Sequence, residues 1–191
     1  MPNLENSQAK DTITAGLIAN KISTEQVGAG GMYTVECVGA DVQVKWTDTF
    51  HNLVMNQGVQ DMNAQYFKGA VYTASPFLGL VTGPGSGTTF AAGDTLASHA
   101  GWTESAAYAG SRKAVTFGTA TTANPSVTTN SASPSSFAMN ATVTIGGAFL
   151  CTVASGTSGV LFSAGDFTGG DKLVDSGDTL NVTYTFSLTA T

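Results

Sequence analysis

The sequence predicts a mainly β protein: an antiparallel β-sandwich, jelly-roll-like, with one helix and an extended N-terminal arm. Three observations carry that prediction. Apolar and polar residues alternate in short runs, as in Val182, Tyr184, Phe186 and Leu188 against Thr183, Thr185 and Ser187, which is the period of a half-buried strand. Clusters of Gly, Ser, Asn and Pro separate these runs at the spacing of sandwiches and jelly rolls. Only one stretch has helical spacing, and a single helix cannot supply the crossovers that a parallel sheet needs.

The elements follow in order. Residues 1–30 are expected to form the arm: 1–10 are polar and without pattern, and from Thr12 to Ile18 the chain alternates loosely. Such an arm either frays, as termini do, or lies on a neighbouring subunit. Gly28-Ala29-Gly30-Gly31 then punctuates the chain, and a single sandwich domain is expected over residues 31–191. Period-2 runs at 32–38 and 42–46 read as a hairpin turned at Gly39-Ala40-Asp41.

The helix is expected near residues 53–68, where Leu53, Val59, Met62 and Phe67 fall near i+3/i+4 spacings. Gly58 inside it costs about 1 kcal/mol against Ala. Gly69 suits the left-handed position after the last turn. The helix's expected job is to cover an open face or end of a sheet. Strands are then expected at 71–73, 77–82, 113–119, 137–145, 148–154, 160–162 and 180–188, with a turn at Gly83-Pro84-Gly85-Ser86-Gly87 and a long loop or edge strand over 119–136. No internal repeat is visible, which removes solenoids and propellers.

Composition narrows the function classes. Only 10% of the 191 residues are charged while 42% are hydrophobic and 23 are glycine, against about 25% charged in an ordinary domain. A free monomer keeps charges interspersed over its surface, so this chain reads as built for assembly. Seven basic residues against 13 acidic ones give a formal charge of -6, and the basic ones cluster no further than Arg112-Lys113. Nucleic-acid binding, which needs a concentrated basic footprint, is not expected. No leader-like opening and no run of about 18 apolar residues appears, so neither signal-directed secretion nor a membrane partner is expected. Cys37 and Cys151 are too few and too far apart for a disulfide framework or zinc ribbon, and read as buried free thiols.

The constellations that could carry chemistry are thin. Asp94, Ser98, His99 and Glu104 include the residue types of a nucleophilic site, but no Gly-x-Ser-x-Gly elbow accompanies them. The structural alternative is that Trp102 anchors this run on the sheet while His99 or Glu104 bonds exposed backbone. His51 and His99 are too small a stock for a metal centre, with no short ligand spacing. Asp166, Asp171, Asp175 and Asp178 alternate with glycines, yet miss the spacing of a calcium loop, and read as solvated acids in two turns. No cofactor is expected. Trp46, Trp102, Tyr108 and Tyr184 could line a sugar platform, or equally a core or subunit contact.

Five segments carry a resemblance: 46–58, from Trp46 to Gly58; Phe77-Leu78-Gly79-Leu80-Val81; 93–104, from Gly93 through His99 and Trp102 to Glu104; Arg112-Lys113-Ala114-Val115-Thr116-Phe117; and 177–186, from Gly177 to Phe186. Together they resemble a group of tailed-bacteriophage virion structural proteins, which build particles and catalyse nothing. The resemblance spans most of the chain, and no motif in it names a chemistry. It implies a place in a virion assembled in the host bacterial cytoplasm. The expected function is a non-enzymatic head decoration or cement protein, forming a homo-oligomer, with a trimer as the expectation, and clamping the major capsid protein. The alternatives are a neck, tail or fibre component, or a host-surface carbohydrate-binding module. Expected interaction residues are Trp46, His99, Trp102, Glu104 and Tyr108.

Overall fold

The computed structural model describes residues 26–70, 75–83 and 89–190. The described chain is an antiparallel β-sandwich with one helix. The first sheet is built on β1 (Val27–Val38) and β12 (Thr179–Ala190), which pair along their whole length from Val27↔Ala190 to Val38↔Thr179. β2 (Val44–His51) flanks β1, while β7 (Ser126–Thr129) and β8 (Ser135–Ala138) both pair with β12.

The second sheet runs in the order β3 (Leu53–Val54), β10 (Leu161–Asp166), β9 (Val143–Cys151), β4 (Phe77–Thr82), β5 (Thr103–Glu104). Two short strands attach to it, β6 (Lys113–Ala114) on β4 and β11 (Lys172–Val174) on β9. The chain crosses between sheets after β2, β6, β8 and β11, a jelly-roll-like habit.

Both faces of the second sheet are covered, and the sequence shows why. Residues 145–151 read Ile-Gly-Gly-Ala-Phe-Leu-Cys with no alternation, and all seven are buried, as expected of a strand enclosed on both sides. Toward the first sheet, Ile145, Ala148 and Leu150 pack with Leu78, Leu80, Tyr33, Val35, Leu180 and Val182 in the main core. On the outer side Phe149 and Cys151 join Val81, Leu161, Met55, Leu96 and Trp102 in a second cluster.

Several sequence expectations are corrected. The arm assigned to residues 1–30 loses its last four, because Val27-Gly28-Ala29-Gly30 are strand residues bonded to β12; residues 1–25 lie outside the described residues. The expected strand at 71–73 and most of the turn at 83–87 lie there too. The second strand starts at Val44 rather than Val42, since Val42 takes φ 64 in a turn closed by Gly39 N–H to Gln43 O at 2.8 Å. The helix α1 (Asn56–Phe67) begins three residues later than expected, because Leu53-Val54 pair with Ser163-Ala164 of β10 as strand. Its end agrees, with Gly69 at φ +63. The expected strand at 113–119 stops at Ala114, and the expected runs at 137–145 and 148–154 regroup as β8 and one continuous β9.

Helix α1 buries only Gly58. A Cβ there would stand 2.6 Å from the carbonyl oxygen of Phe162 and 3.1 Å from its Cα. The glycine is thus what allows the helix backbone to lie directly on β10, and the residue that weakens the helix locally is the one that docks it.

Candidate functional site

The five residues expected to make contacts are mostly consumed by the fold. Trp102 is 6% exposed, packing on Phe149 at 5.3 Å and Phe90 at 5.7 Å between ring centroids. Its indole N–H donates to Asp94 Oδ2 at 3.0 Å, and the same oxygen accepts the Ala91 N–H at 3.0 Å. His99 stacks on Trp102, centroids 3.8 Å apart and planes 17° from parallel, with Nδ1 2.9 Å from the Trp102 carbonyl. Carbonyl oxygens only accept, so this contact fixes the proton on Nδ1. Asp94 therefore serves the indole rather than the imidazole, and the run 93–104 is a latch over the outer face of the second sheet.

Glu104 receives a fork from Arg112, with Nε to Oε1 at 2.8 Å and Nη2 to Oε2 at 2.7 Å. The Arg112 side chain is 4% exposed, and it also donates to Val153 O at 3.2 Å and sits 5.2 Å from the Phe149 centroid. Tyr108 is buried edge-on against Phe137, and burial pushes its hydroxyl up to about 12. Trp46 is half-buried on β2 against Phe167 and under Lys172. His99 and Trp102 thus form one stacked pair, Glu104 and Tyr108 line one small surface pocket with Arg112, and Trp46 lies on β2 of the other sheet, so the five form no common platform.

Of the acids expected to be solvated in the Asp-rich turns, Asp175 is exposed whereas Asp178 is not. Asp178 is 2% exposed, and its Oδ2 accepts from Lys45 Nζ at 2.9 Å and from the Asp175 N–H at 3.0 Å. Burial raises its pKa, but the Lys45 hydrogen bond, the Asp175 N–H and the Lys45 charge together bring it below the ordinary carboxylate value. Among the described residues no group of three or more His, Cys, Asp or Glu could hold a metal ion, and no helix is long and apolar enough to cross a membrane.

Cys37 lies in the main core and Cys151 in the second cluster, both free. Burial and the neighbouring Asp178 push the Cys37 thiol up to about 11. Burial raises that of Cys151 as well.

What the sequence did not reveal is an open apolar groove of about 1110 Å3. Its origin lies in the unequal reach of the two sheets. On β1 the alternation Tyr33, Val35, Cys37 is buried in the core, whereas Val27 and Ala29 continue the same face past the core's edge and are exposed. On β12 the face Leu180, Val182, Tyr184 continues likewise into Phe186 and Leu188, the latter 37% exposed. Opposite this overhang stands α1, contributing Val59, Met62 and Tyr66, with Phe162, Leu150 and Tyr184 below. Val59 is 45% exposed, and Tyr66 and Phe67, in edge contact at 4.9 Å, are 83% and 77% exposed.

Two polar features mark the groove. Asn52 donates from Nδ2 to Tyr184 Oη at 2.8 Å, while its buried Oδ1 has no hydrogen-bond donor among the described residues. Asp61 is the one charged residue among the described groove residues. Contiguous exposed apolar surface of this kind is what interaction sites present.

Comparisons with protein-family models, with curated proteins and with solved structures each return no match.

Proposed function

We propose that the chain is a non-enzymatic structural protein of a tailed-phage particle, and within that class a head decoration or cement protein that binds and stabilises the major-capsid lattice. The observation that carries the reading is the groove: an apolar overhang of the first sheet facing a helix whose aromatic residues point into solvent. Such surface is costly on a free monomer and becomes favourable when another chain covers it, at about 25 cal/mol per Å2 of apolar area removed from water. A chain with 10% charged residues has little else on its surface to keep copies apart. The resemblance of its Trp46, Phe77, Trp102, Arg112 and Gly177 segments to virion structural proteins supplies the kind of assembly. Repeated over a lattice, modest individual contacts sum to large stabilisation.

The same features suit a neck, tail or fibre component, and copy number separates the two. The carbohydrate-binding reading draws less support, since Trp102 and Tyr108 are 6% and 5% exposed and offer no free ring face. The test is quantitative mass spectrometry of purified particles of the phage that encodes the chain. Several hundred copies per particle support decoration, a dozen or so point to the neck or tail, and absence from particles overturns the proposal.

A further inference from the structure

We infer that the groove is the seat of the N-terminal segment of a second copy of this chain, residues 13–22, so that copies are joined by exchanged arms. The inference rests on the assembly reading above and names the partner of its groove.

The first argument is where the described chain begins. Val27 is itself a groove residue and is hydrogen-bond-registered with Ala190, the last residue of β12. Twenty-five residues precede Gln26, so every copy carries a long segment starting at the rim of its own groove. Ser23-Thr24-Glu25-Gln26, which joins that segment to β1, contains no Gly or Pro, the two strongest punctuators of a chain's direction. An extended chain rises about 3.3 Å per residue, so the ten residues from Leu17 to Val27 have a reach of up to about 33 Å, enough to take in a neighbour's groove. Exchange of a terminal element between identical chains is a low-cost route to closed oligomers.

The second argument is chemical fit. Ile13, Ala15, Leu17 and Ala19 would share one apolar face of an extended segment, with Thr14, Gly16, Ile18, Asn20 and Ile22 on the other, and the apolar face matches the overhang of Val27, Ala29, Phe186 and Leu188. Lys21 is the only charge within 13–22, and Asp61 is the charged residue facing the groove. Asn52 Oδ1, buried and without a donor among the described residues, is placed to accept a backbone N–H, which a peptide carries and a hydrocarbon ligand does not.

The test uses the full-length protein. Leu17→Cys is placed in one tagged preparation and Val59→Cys in a differently tagged one; the native thiols are buried. The two are mixed under mild oxidation, beside sedimentation of the unmodified chain, of a chain lacking residues 1–25, and of Tyr66→Glu, whose site is exposed and leaves the fold intact. The expected result is a disulfide between differently tagged chains, an oligomer for the full chain, and at least a tenfold weaker association for both the truncation and Tyr66→Glu. A chain carrying both cysteines that closes the disulfide within itself overturns the exchange, as does an oligomer that persists without residues 1–25, or a monomeric full chain. If particles carry the chain in many copies while these tests fail, the exchange falls and the virion reading stands. Exchange in solution with no copies in particles does the reverse.

Discussion

Gly58 of helix α1 and Phe162 of β10 are in backbone contact, close enough that a Cβ on the glycine would lie 2.6 Å from the Phe162 carbonyl oxygen. This contact seats the helix that forms one wall of the apolar groove. It also reverses the usual sign of a glycine substitution. Ala in a helix interior normally gains about 1 kcal/mol over Gly, whereas overpacking a close contact costs about 1–3 kcal/mol. Gly58→Ala is therefore expected to lower stability by up to about 2 kcal/mol in urea unfolding. A gain would mean that the helix is not held against β10.

Arg112 and Glu104 form a second testable pair. The guanidinium is 4% exposed and the carboxylate 33%. Removing one partner of a buried ion pair typically costs about 3–5 kcal/mol, because a desolvated charge is left behind. Water can reach the Glu104 side, so Glu104→Ala is expected to cost about 2–3 kcal/mol. A loss under about 0.5 kcal/mol, the level of an exposed pair, would contradict this burial.

Asp178 predicts a pH dependence of definite sign. Its native pKa lies below the ordinary carboxylate value, so the native state holds fewer protons than the unfolded chain. The contribution is present above the unfolded value of about 3.9 and is lost as pH falls through the native one. Urea midpoints of the natural chain and of Asp178→Asn are expected to differ at pH 7 and to converge as pH drops from about 4 toward 2.5. A constant difference would place the stabilisation elsewhere.

The thiols should be silent until the fold opens. Cys37 is fully buried with its thiol pushed up to about 11, and Cys151 is 1% exposed. Thiolate is the reactive form. A disulfide reagent at pH 8 is expected to find no thiol in the native protein and two per chain in denaturant, as the sequence allows. Rapid native labelling of either would disprove its burial.

Legibility in the sequence followed the range of the forces involved. β12 was readable because Leu180, Val182, Tyr184, Phe186 and Leu188 alternate within one segment, and β4 at Phe77–Thr82 because a short apolar run is bounded by breakers. The helix end at Gly69 was local chemistry too. Its start was not, because Leu53-Val54 answer to a partner more than a hundred residues away in β10. β5, β6 and β11 are two or three residues long and carry no period at all. Trp102 was legible as an anchor, but its burial against Phe149 depends on tertiary packing. The groove was the least legible feature. It joins Val27, Val59 and Leu188, and each looks like an ordinary strand or helix residue until one sheet is seen to outreach the other. The available signal was the alternation of β12 running on to Leu188, two positions beyond Phe186 and four beyond the buried Tyr184.

The proposed role of this groove is that of a contact surface inside a virion. It is tested most directly by cryo-electron microscopy of purified particles at a resolution that traces side chains. The expected result is the sandwich repeated across the capsid lattice, with chain density covering Val27, Val59, Tyr66 and Leu188. A particle in which the chain is present with those residues facing bulk solvent would contradict it.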